Sequence, residues 1–295
     1  MTVLVVGDLV TDVLVTHAGN IAVGSDTSAR ITVGGGGQAA NTAAWLARAG
    51  SGVTLVAAVG GDHAGRERIA ELIALGVRCT VRAHPGAVTG SVVVLSSAHE
   101  RTMITDRGAA LLLSPADVAA AVKAAPGATH LHLSGYPLLH AGSRAAGVAA
   151  LTAAAERGLT TSVDVASADP LRRLGAEAFL DLVRGTDVLL CNSDEAEVLV
   201  GAGSPRQQAA HLTAYAGNVV IKLGPDGAVW GTPDGTMRSI AAAPVPALDP
   251  TGAGDAFAAG LLTAWCSGAG PDAALTAGTE LGALAVQTLG GRPAS

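Results

Sequence analysis

The sequence predicts an α/β fold in which helices flank a doubly wound, mostly parallel β-sheet. Short apolar runs of β type recur along the 295 residues, and alanine-rich helical segments separate most of them. The runs are apolar at nearly every position, as in parallel strands that are buried on both faces. Alternation of strands and helices is typical of parallel sheets with helical crossovers. A chain of this length can form one large core, so we expect a single domain over residues 1–295.

The predicted strands are short apolar runs that end at a turn. In chain order they are TVLVVG from Thr2, VTLVAAVG from Val53, THLHLSG from Thr129, TTSVDV from Thr160, DVLLCN from Asp187 and NVVIKLG from Asn218. The predicted helices are mostly the alanine-rich segments between these runs. They cover residues 38–49, 63–75, 115–125, 141–157 and 205–215, and a further apolar helix covers 256–264.

Two regions, residues 12–33 and about 77–104, contain β-type runs with no helical segment between them. We expect these runs to form a small β-sheet lid that projects from the main body. A lid of this kind can close over a substrate and exclude water. Exposed strands of a lid can also pair between subunits, which predicts a homodimer formed through the lid.

Composition excludes several classes of partner. The net charge is −6, and no run of Lys or Arg is present that would neutralise a nucleic-acid backbone. The N-terminus lacks a basic leader, and no apolar stretch is long enough to span a bilayer, so we expect a cytoplasmic protein without membrane contact. The three cysteines, Cys79, Cys191 and Cys266, are odd in number and lack CxxC spacing, which argues against a disulfide framework and a zinc cluster.

The most informative segment is Asp249-Pro-Thr-Gly-Ala-Gly-Asp-Ala-Phe257, which precedes the apolar helix. The backbone N–H groups of Gly252, Ala253 and Gly254 are little shielded by side chains, and free amides at a helix start attract anions. Asp255 would repel a phosphate there unless it faced the attacking group. A base beside a phosphate site indicates phosphoryl transfer. The alternative is an ordinary glycine turn followed by an acid at a helix N-terminus.

A second glycine run, GGGGQAANTAAWLARAG over residues 34–50, leads from a strand into a helix. Gly34, Gly36 and Ala39 fit the GxGxxG/A fingerprint of NAD-binding proteins. That fingerprint belongs to the first strand–helix unit and needs an acid at the end of the next strand. Here the preceding strand is the third β run, and Asp62 lies too far along the chain. The dinucleotide interpretation is therefore disfavoured.

Taken together, the two glycine regions resemble the ribokinase-like, or PfkB, carbohydrate kinase family. The first signature corresponds to Gly36 through Gly60, and the second to Asp249 through Phe257. The segments Asn192-Ser-Asp-Glu195 and Lys222-Leu-Gly224-Pro-Asp-Gly227 match two further regions in the family's order. The resemblance covers nearly the whole chain. It implies an ATP-dependent phosphotransferase that acts on a hydroxyl, expected to be primary, of a small sugar or sugar acid.

The resemblance also implies roles for residues at the phosphate side of the site. Asp255 is similar to the family's catalytic base, and Gly252, Ala253 and Gly254 to its anion hole. Asn192 and Glu195 resemble the motif that positions Mg²⁺ through its water shell. From the residues alone, these two could equally form a helix capping box.

Further residues match the nucleotide and cation sites of the family. Lys222, Gly224, Gly227 and Thr251 fall where relatives bind ATP, and Lys222 would contact a phosphate as a point charge. From the residues alone, Lys222 could instead be an exposed lysine at a strand end. Asp249 resembles the position that helps hold an activating K⁺ in many relatives.

For the acceptor, the resemblance points to carboxylate, amide and guanidinium groups that can hold sugar hydroxyls or an acid group. The matching or neighbouring positions are Asp12, Gly36, Gly37, Asn41, Arg101 and Arg107. Gly36 and Gly37 would let the lid hinge. Asp12 could instead be a turn acid, and the two arginines could be solvated surface charges.

Three positions depart from the ribokinase pattern. Val10, Gln38 and Ser134 stand where ribokinases have Asn, Lys and Glu, which makes ribose itself doubtful as the acceptor. Aromatic residues make up only 2% of the chain, which weakens a nucleoside or pseudouridine acceptor. A non-catalytic sugar-binding module is a more distant alternative. His130 and His132 alternate on a strand and could share a metal, but no third ligand has suitable spacing.

Overall fold

The computed structural model describes residues 1–96 and 101–294, without the side chain of Arg101. Its larger sheet has the strand order β13-β12-β11-β10-β9-β8-β1-β4-β5. The strands of this sheet are β1 (Thr2–Val6), β4 (Gly52–Gly60), β5 (Arg78–His84), β8 (His130–Ser134), β9 (Thr160–Asp164), β10 (Thr186–Asn192), β11 (Ala216–Lys222), β12 (Ala228–Gly231) and β13 (Met237–Ile240). All neighbours from β5 to β11 are parallel, and β12 and β13 add an antiparallel edge.

Helices cover both faces of this sheet. They are α1 (Gln38–Arg48), α2 (His63–Ala74), α3 (Pro115–Ala124), α4 (Tyr136–Leu139), α5 (Arg144–Glu156), α6 (Ala168–Leu174), α7 (Ala176–Leu182), α8 (Ser193–Val200), α9 (Pro205–Leu212), α10 (Ala253–Trp265) and α11 (Pro271–Ala285). The predicted doubly wound α/β fold is confirmed, and the predicted strands and helices are present with ends that differ by a few residues. The sequence analysis did not indicate α4, α6, α7, α11, β12 or β13.

The apolar runs are explained by a core on each face of the sheet. In β1, Val3 and Val5 belong to the core beneath α1 and α10, whereas Leu4 and Val6 belong to the core beneath α3 and α5. None of the four is exposed to solvent. Because successive strand residues point to opposite faces, a strand buried on both sides must be apolar throughout. No helix of the described residues is long and apolar enough to cross a membrane.

A second, smaller sheet forms the lid. Its strands are β2 (Val10–His17), β3 (Ala29–Gly36), β6 (Thr89–Ser96) and β7 (Arg101–Gly108), in the order β3-β2-β6-β7. We expected the second lid insertion to cover residues 77–104, but this range begins too early. The segment Arg78–His84 is instead the edge strand β5 of the main sheet, parallel to β4. Its half-exposed alternating pattern is that of any edge strand, so the pattern alone could not separate it from the lid.

The strand order places several polar residues at one edge of the main sheet. In a parallel sheet the carboxyl ends of all strands meet at the same edge, which is where open α/β sheets bind ligands. The polar residues that end strands β1, β8, β9, β10 and β11, or closely follow them, are Asp8, Ser134, Asp164, Asn192 and Lys222. The lid sheet adjoins this edge.

Candidate active site

A cavity of about 270 Å³ lies between the lid sheet and the carboxyl edge of the main sheet. Most of the predicted site residues line it, and they are Asp12, Gly37, Asn41, Arg107, Asn192, Glu195, Lys222, Thr251, Gly252, Gly254 and Asp255. Gly36, Ala253, Asp249, Gly224 and Gly227 lie outside its lining. The side chain of Arg101 is outside the described part of the chain, and its backbone pairs with Ser96 at the far end of the lid. Two acidic lining residues that sequence reasoning missed are Asp8 and Asp164.

Asp255 lies in the first turn of α10 with its carboxyl group facing the cavity. Asn41 on α1 donates a hydrogen bond from Nδ2 to Asp255 Oδ2 over 2.9 Å. Burial raises the pKa of the Asp255 carboxyl to about 7; the Asn41 hydrogen bond opposes this shift, and the negative charge of Asp164 adds to it. A carboxyl group with such a pKa can exchange a proton near neutral pH, as a general base must.

The start of α10 depends on glycine. Gly252 has a φ of 74°, in the left-handed region, and a Cβ atom there would lie 2.4 Å from the carbonyl oxygen of Gly291. No side chain caps the helix, so its first-turn amides are not covered by a side chain. Ala253 N lies 3.3 Å from Pro250 O and donates to it weakly. This end of α10 can attract an anion.

Lys222 is buried rather than an exposed strand-end lysine. Its Nζ lies 2.5 Å from Asp164 Oδ2, and the side chains are 13% and 2% exposed. Burial alone would lower the pKa of the Lys222 ammonium group, but the charges of Asp164 and Glu195 raise it above its usual value. The other oxygen, Asp164 Oδ1, is buried and has no hydrogen-bond partner among the described residues. It is therefore an acceptor that a bound group can satisfy.

Asn192 and Glu195 form the capping box of α8. Glu195 N donates to Asn192 Oδ1 over 2.9 Å, and Asn192 N donates to Glu195 Oε2 over 2.8 Å. Both residues also line the cavity, so the capping and metal interpretations do not exclude each other. Burial raises the pKa of Glu195 to about 7, against the opposing charge of Lys222. Together with the free Asp164 oxygen, this group of oxygen atoms fits a hydrated Mg²⁺ ion, which prefers oxygen ligands and keeps much of its water.

On the lid side, the carboxyl group of Asp12 on β2 packs against the glycine run at the end of β3. A Cβ atom on Gly36 would lie 2.0 Å from Asp12 Oδ1, so only glycine permits this packing. Gly37 has a φ of 100°, and a Cβ atom there would lie 2.6 Å from the carbonyl oxygen of Asp8. Asp12 is buried on β2 rather than placed in a turn. Asp12 and Asn41 thus line the same cavity as Asp255.

Arg107 is not a solvated surface charge. Its Nη1 lies 3.1 Å from Asp8 Oδ2, with side chains that are 8% and 2% exposed. Its guanidinium carbon lies 3.6 Å from the centre of the Tyr136 ring. Asp8 Oδ1 in turn accepts a hydrogen bond from Ala39 N and lies 3.3 Å from Ser134 Oγ. An arginine of the lid is thereby held by two residues of the main body.

Two of the departures from the ribokinase pattern are in contact. Ser134 Oγ donates to Gln38 Oε1 over 2.6 Å. Gln38 and Ser134, which stand where the ribokinase pattern has Lys and Glu, thus form a neutral pair beside Asp8. The signal that could have revealed Asp8 and Asp164 is an acid at or just after the carboxyl end of a predicted parallel strand.

Asp249 joins the glycine signature to the C-terminal segment. Its Oδ1 accepts from Thr251 N and Thr251 Oγ1, at 2.9 and 2.6 Å, and its Oδ2 accepts from Gly290 N at 2.9 Å. Gly224 and Gly227 form a tight turn after β11, where a Cβ atom on Gly227 would lie 1.9 Å from Ile240 O. The K⁺ and nucleotide roles of these residues stay predictions.

His130 and His132 take part in a buried hydrogen-bond network. His130 Nε2 and His132 Nδ1 both contact Ser162 Oγ, at 2.8 and 2.7 Å. Burial lowers the pKa of both imidazoles to about 3, so they stay neutral. The residues that the structure describes contain no group of three or more His, Cys, Asp or Glu side chains suited to a metal ion.

An acid at an uncapped helix start lies in the cavity between a doubly wound sheet and its lid, an arrangement suited to phosphoryl transfer to a hydroxyl. The model of the pfkB family carbohydrate kinases matches residues 2–295, and the chain belongs to this family. It is a kinase.

Two curated relatives are similar over most of their length. The chain is 30% identical over 269 residues to an ATP-dependent ribose-1-phosphate kinase of Halopiger xanaduensis, covering 88% of this chain and 83% of the relative. It is also 30% identical over 263 residues to a 2-dehydro-3-deoxygluconokinase of Thermoproteus tenax, covering 86% and 80%.

Solved structures share the fold at lower identity. Adenosine kinase from Sinorhizobium meliloti has a TM-score of 0.88 at 23% identity, covering 99% of this chain and 96% of that chain. Ribokinase from Thermotoga maritima has a TM-score of 0.78 at 22% identity, covering 99% and 96%.

Proposed function

We propose that this protein transfers the γ-phosphoryl group of ATP to a hydroxyl of a small sugar. The observation that carries this proposal is the position of Asp255. Its carboxyl group faces one cavity that is lined on the lid side by Asp12 and Asn41 and on the other side by Lys222 and Gly254. A hydroxyl and a phosphate can therefore meet beside a single base.

The proposed mechanism assigns each step to a residue of this chain. Asp255 accepts the proton of the acceptor hydroxyl, and Asn41 holds its carboxylate in orientation. The amides at the start of α10 and the Lys222 ammonium group stabilise negative charge on the transferring phosphoryl group. When bound, Mg²⁺ supplies further positive charge at the phosphates, and Asp164, Asn192 and Glu195 would hold it through its water shell.

The environment of Tyr136 favours a sugar over a nucleoside acceptor. It is the aromatic residue in the described lining of the cavity, and the guanidinium group of Arg107 already covers a face of its ring. The ring also stacks with His140, with centroids 6.2 Å apart. A nucleobase would have to displace these contacts to find a stacking surface.

The charges at the acceptor side favour a neutral sugar. Arg107 is paired with Asp8, and Asp12 and Asp255 add two further carboxyl groups. A sugar acid or sugar phosphate is the second candidate, because Arg107 is a buried cation in the cavity lining and the names of the two 30% identical relatives specify acceptors of this kind.

An acceptor panel tests the proposal. We expect ADP release with neutral hexoses or pentoses, and a kcat/KM for them at least tenfold above that for sugar acids, sugar phosphates and nucleosides. Highest activity with a sugar acid or sugar phosphate would select the second candidate, and highest activity with a nucleoside would contradict both. Sugar binding without ADP release from any acceptor would indicate a non-catalytic module.

We also propose that the lid forms a homodimer. Val33, Val13, Val93 and Ile104 are paired across all four lid strands, on the face opposite Asp12. Val33 and Ile104 are 61% and 58% exposed. An exposed apolar sheet face of this kind is suited to pack against its counterpart in a second copy.

Light scattering at micromolar concentration measures this association. We expect a dimer for the wild type and a monomer for Ile104→Lys, because a charge would be buried at the contact. Ile73→Lys is the matched control, since Ile73 is equally exposed but lies on α2. A monomeric wild type, or a dimer that survives Ile104→Lys, would contradict the proposal.

A further inference from the structure

Arg292, in the C-terminal segment, contacts the base of the lid from within the protein. Its Nη2 donates to the carbonyl oxygen of Gly36 over 3.0 Å, and its Nη1 lies 3.1 Å from Glu71 Oε2. The side chain is only 8% exposed. Gly35 packs directly on it, because a Cβ atom there would lie 1.9 Å from Arg292 Nη1. The glycine run thus lies against a buried guanidinium group.

A second buried arginine repeats this arrangement. Arg68 on α2 donates from Nη1 to the carbonyl oxygen of Gly34 over 3.2 Å, and its Nη2 lies 2.6 Å from Glu71 Oε1. Its side chain is 6% exposed. Glu71 therefore pairs with two arginines, and each arginine binds a carbonyl group of the last lid strand before α1. We call Arg68, Glu71 and Arg292 the arginine clamp.

The segment that carries Arg292 also contacts the surroundings of Asp255. Trp45 Nε1 on α1 donates to Gly291 O over 3.0 Å. A Cβ atom on Gly291 would lie 2.4 Å from Asn41 Nδ2, which is the atom that donates a hydrogen bond to Asp255. One short segment therefore touches both the base of the lid and the partner of the catalytic carboxyl group.

The cost of burial indicates that the arginine clamp has a positional role. Taking the two guanidinium groups out of water is unfavourable, and their shared partner Glu71 stays 39% exposed, so water weakens the attraction that would offset this cost. A strand of glycines has no side chains that fix its position. The planar guanidinium groups, with several donors in fixed directions, can fix its carbonyl groups instead.

We propose that Arg292 is a positioning residue: with Arg68 and Glu71 it fixes the base of the lid relative to the catalytic carboxyl group. This inference rests on the proposed function. Asp12 packs directly on Gly36, so a shift of Gly36 moves a group that faces the acceptor. In the part of the chain that the structure describes, Lys222 and Asp164 on the phosphate side bond to each other and make no hydrogen bond or ion pair with the clamp. The phosphate side meets this segment only where Gly291 packs on Gly252, and not through a side chain of the clamp. Loosening the clamp therefore weakens acceptor binding much more than ATP binding.

The kinetic test compares Arg292→Lys and Arg68→Lys with the wild type. Lysine keeps the charge but cannot bind a carboxylate and a carbonyl with the same fixed geometry. We expect the KM for the acceptor to rise roughly tenfold in each variant, as for the loss of one charge-assisted hydrogen bond, and the KM for ATP to stay within about twofold. Arg173→Lys, at an exposed ion pair on α6, is the matched control and should match the wild type. Equal changes in both KM values, or none, would overturn the inference.

Hydrogen exchange gives a readout that does not depend on turnover. We expect faster exchange in residues 29–36 of both clamp variants and unchanged exchange in the distant strand β13. Glu71→Gln provides a third variant that removes the shared charge with little change of shape. Unchanged exchange in residues 29–36 of all three variants would overturn the inference. A wild type without kinase activity would instead contradict the proposed function and leave this exchange test valid.

Discussion

Asp255→Asn is expected to lower kcat by roughly a thousandfold, within the range that a positioned general base contributes. The amide cannot accept the proton of the acceptor hydroxyl, yet it has nearly the same shape and can still accept the hydrogen bond from Asn41. Binding of ATP, measured by calorimetry, should therefore change little. Asp234→Asn, at an exposed turn between β12 and β13, is the control and should retain full activity. Near-normal turnover in Asp255→Asn would contradict the proposed mechanism.

The same substitution should change the dependence of activity on pH. Burial raises the pKa of Asp255 to about 7, and only the deprotonated carboxylate can act as a base. In the wild type, kcat/KM should therefore fall as the pH is lowered through about 7. The residual activity of Asp255→Asn should lack this acid limb, the fall of kcat/KM as the pH is lowered. An unchanged limb in the variant would assign the titration to another group, such as Glu195, whose pKa is also raised to about 7.

Gly254→Ala is expected to lower kcat/KM for ATP by roughly a hundredfold, comparable to loss of a donor in an anion hole. A methyl group there meets nothing closer than Lys222 Nζ, at 3.4 Å, so the protein can accommodate it. It would project toward the ammonium group in the space that the proposed mechanism gives to phosphate. The melting temperature should stay equal or rise slightly, because alanine is a better helix former than glycine.

Gly252→Ala provides the contrast. Its backbone is left-handed, and a methyl group would collide with Gly291 O. We expect this variant to lose about 2–4 kcal/mol of unfolding free energy, together with activity. Thermal melts and initial rates distinguish Gly252→Ala, which should lose both stability and activity, from Gly254→Ala, which should lose activity alone. A stable and fully active Gly254→Ala would show that phosphate does not occupy the space beside Lys222.

Much of the fold could be predicted because its signals are local. Apolar runs, alanine-rich segments and glycine turns each reflect the burial and backbone needs of a few adjacent residues. The edge strand Arg78–His84 could not be assigned this way, because its alternating pattern suits either sheet. The motif matches indicated most of the cavity lining around Asp255. They did not reveal Asp8 or Asp164, whose importance depends on where the ends of separate strands meet.

The sequence by itself determined the class of fold, the kinase family and the carboxylate beside the glycine turn, because these are encoded in short contiguous patterns. Only the tertiary structure decided the partners of each charged group. Arg107 pairs with Asp8, and Arg292 pairs with Glu71, across 99 and 221 residues of chain. Such contacts depend on strand order and on the way helices pack over the sheet. No local pattern records them, because the energy of a buried charge depends on which groups surround it in space.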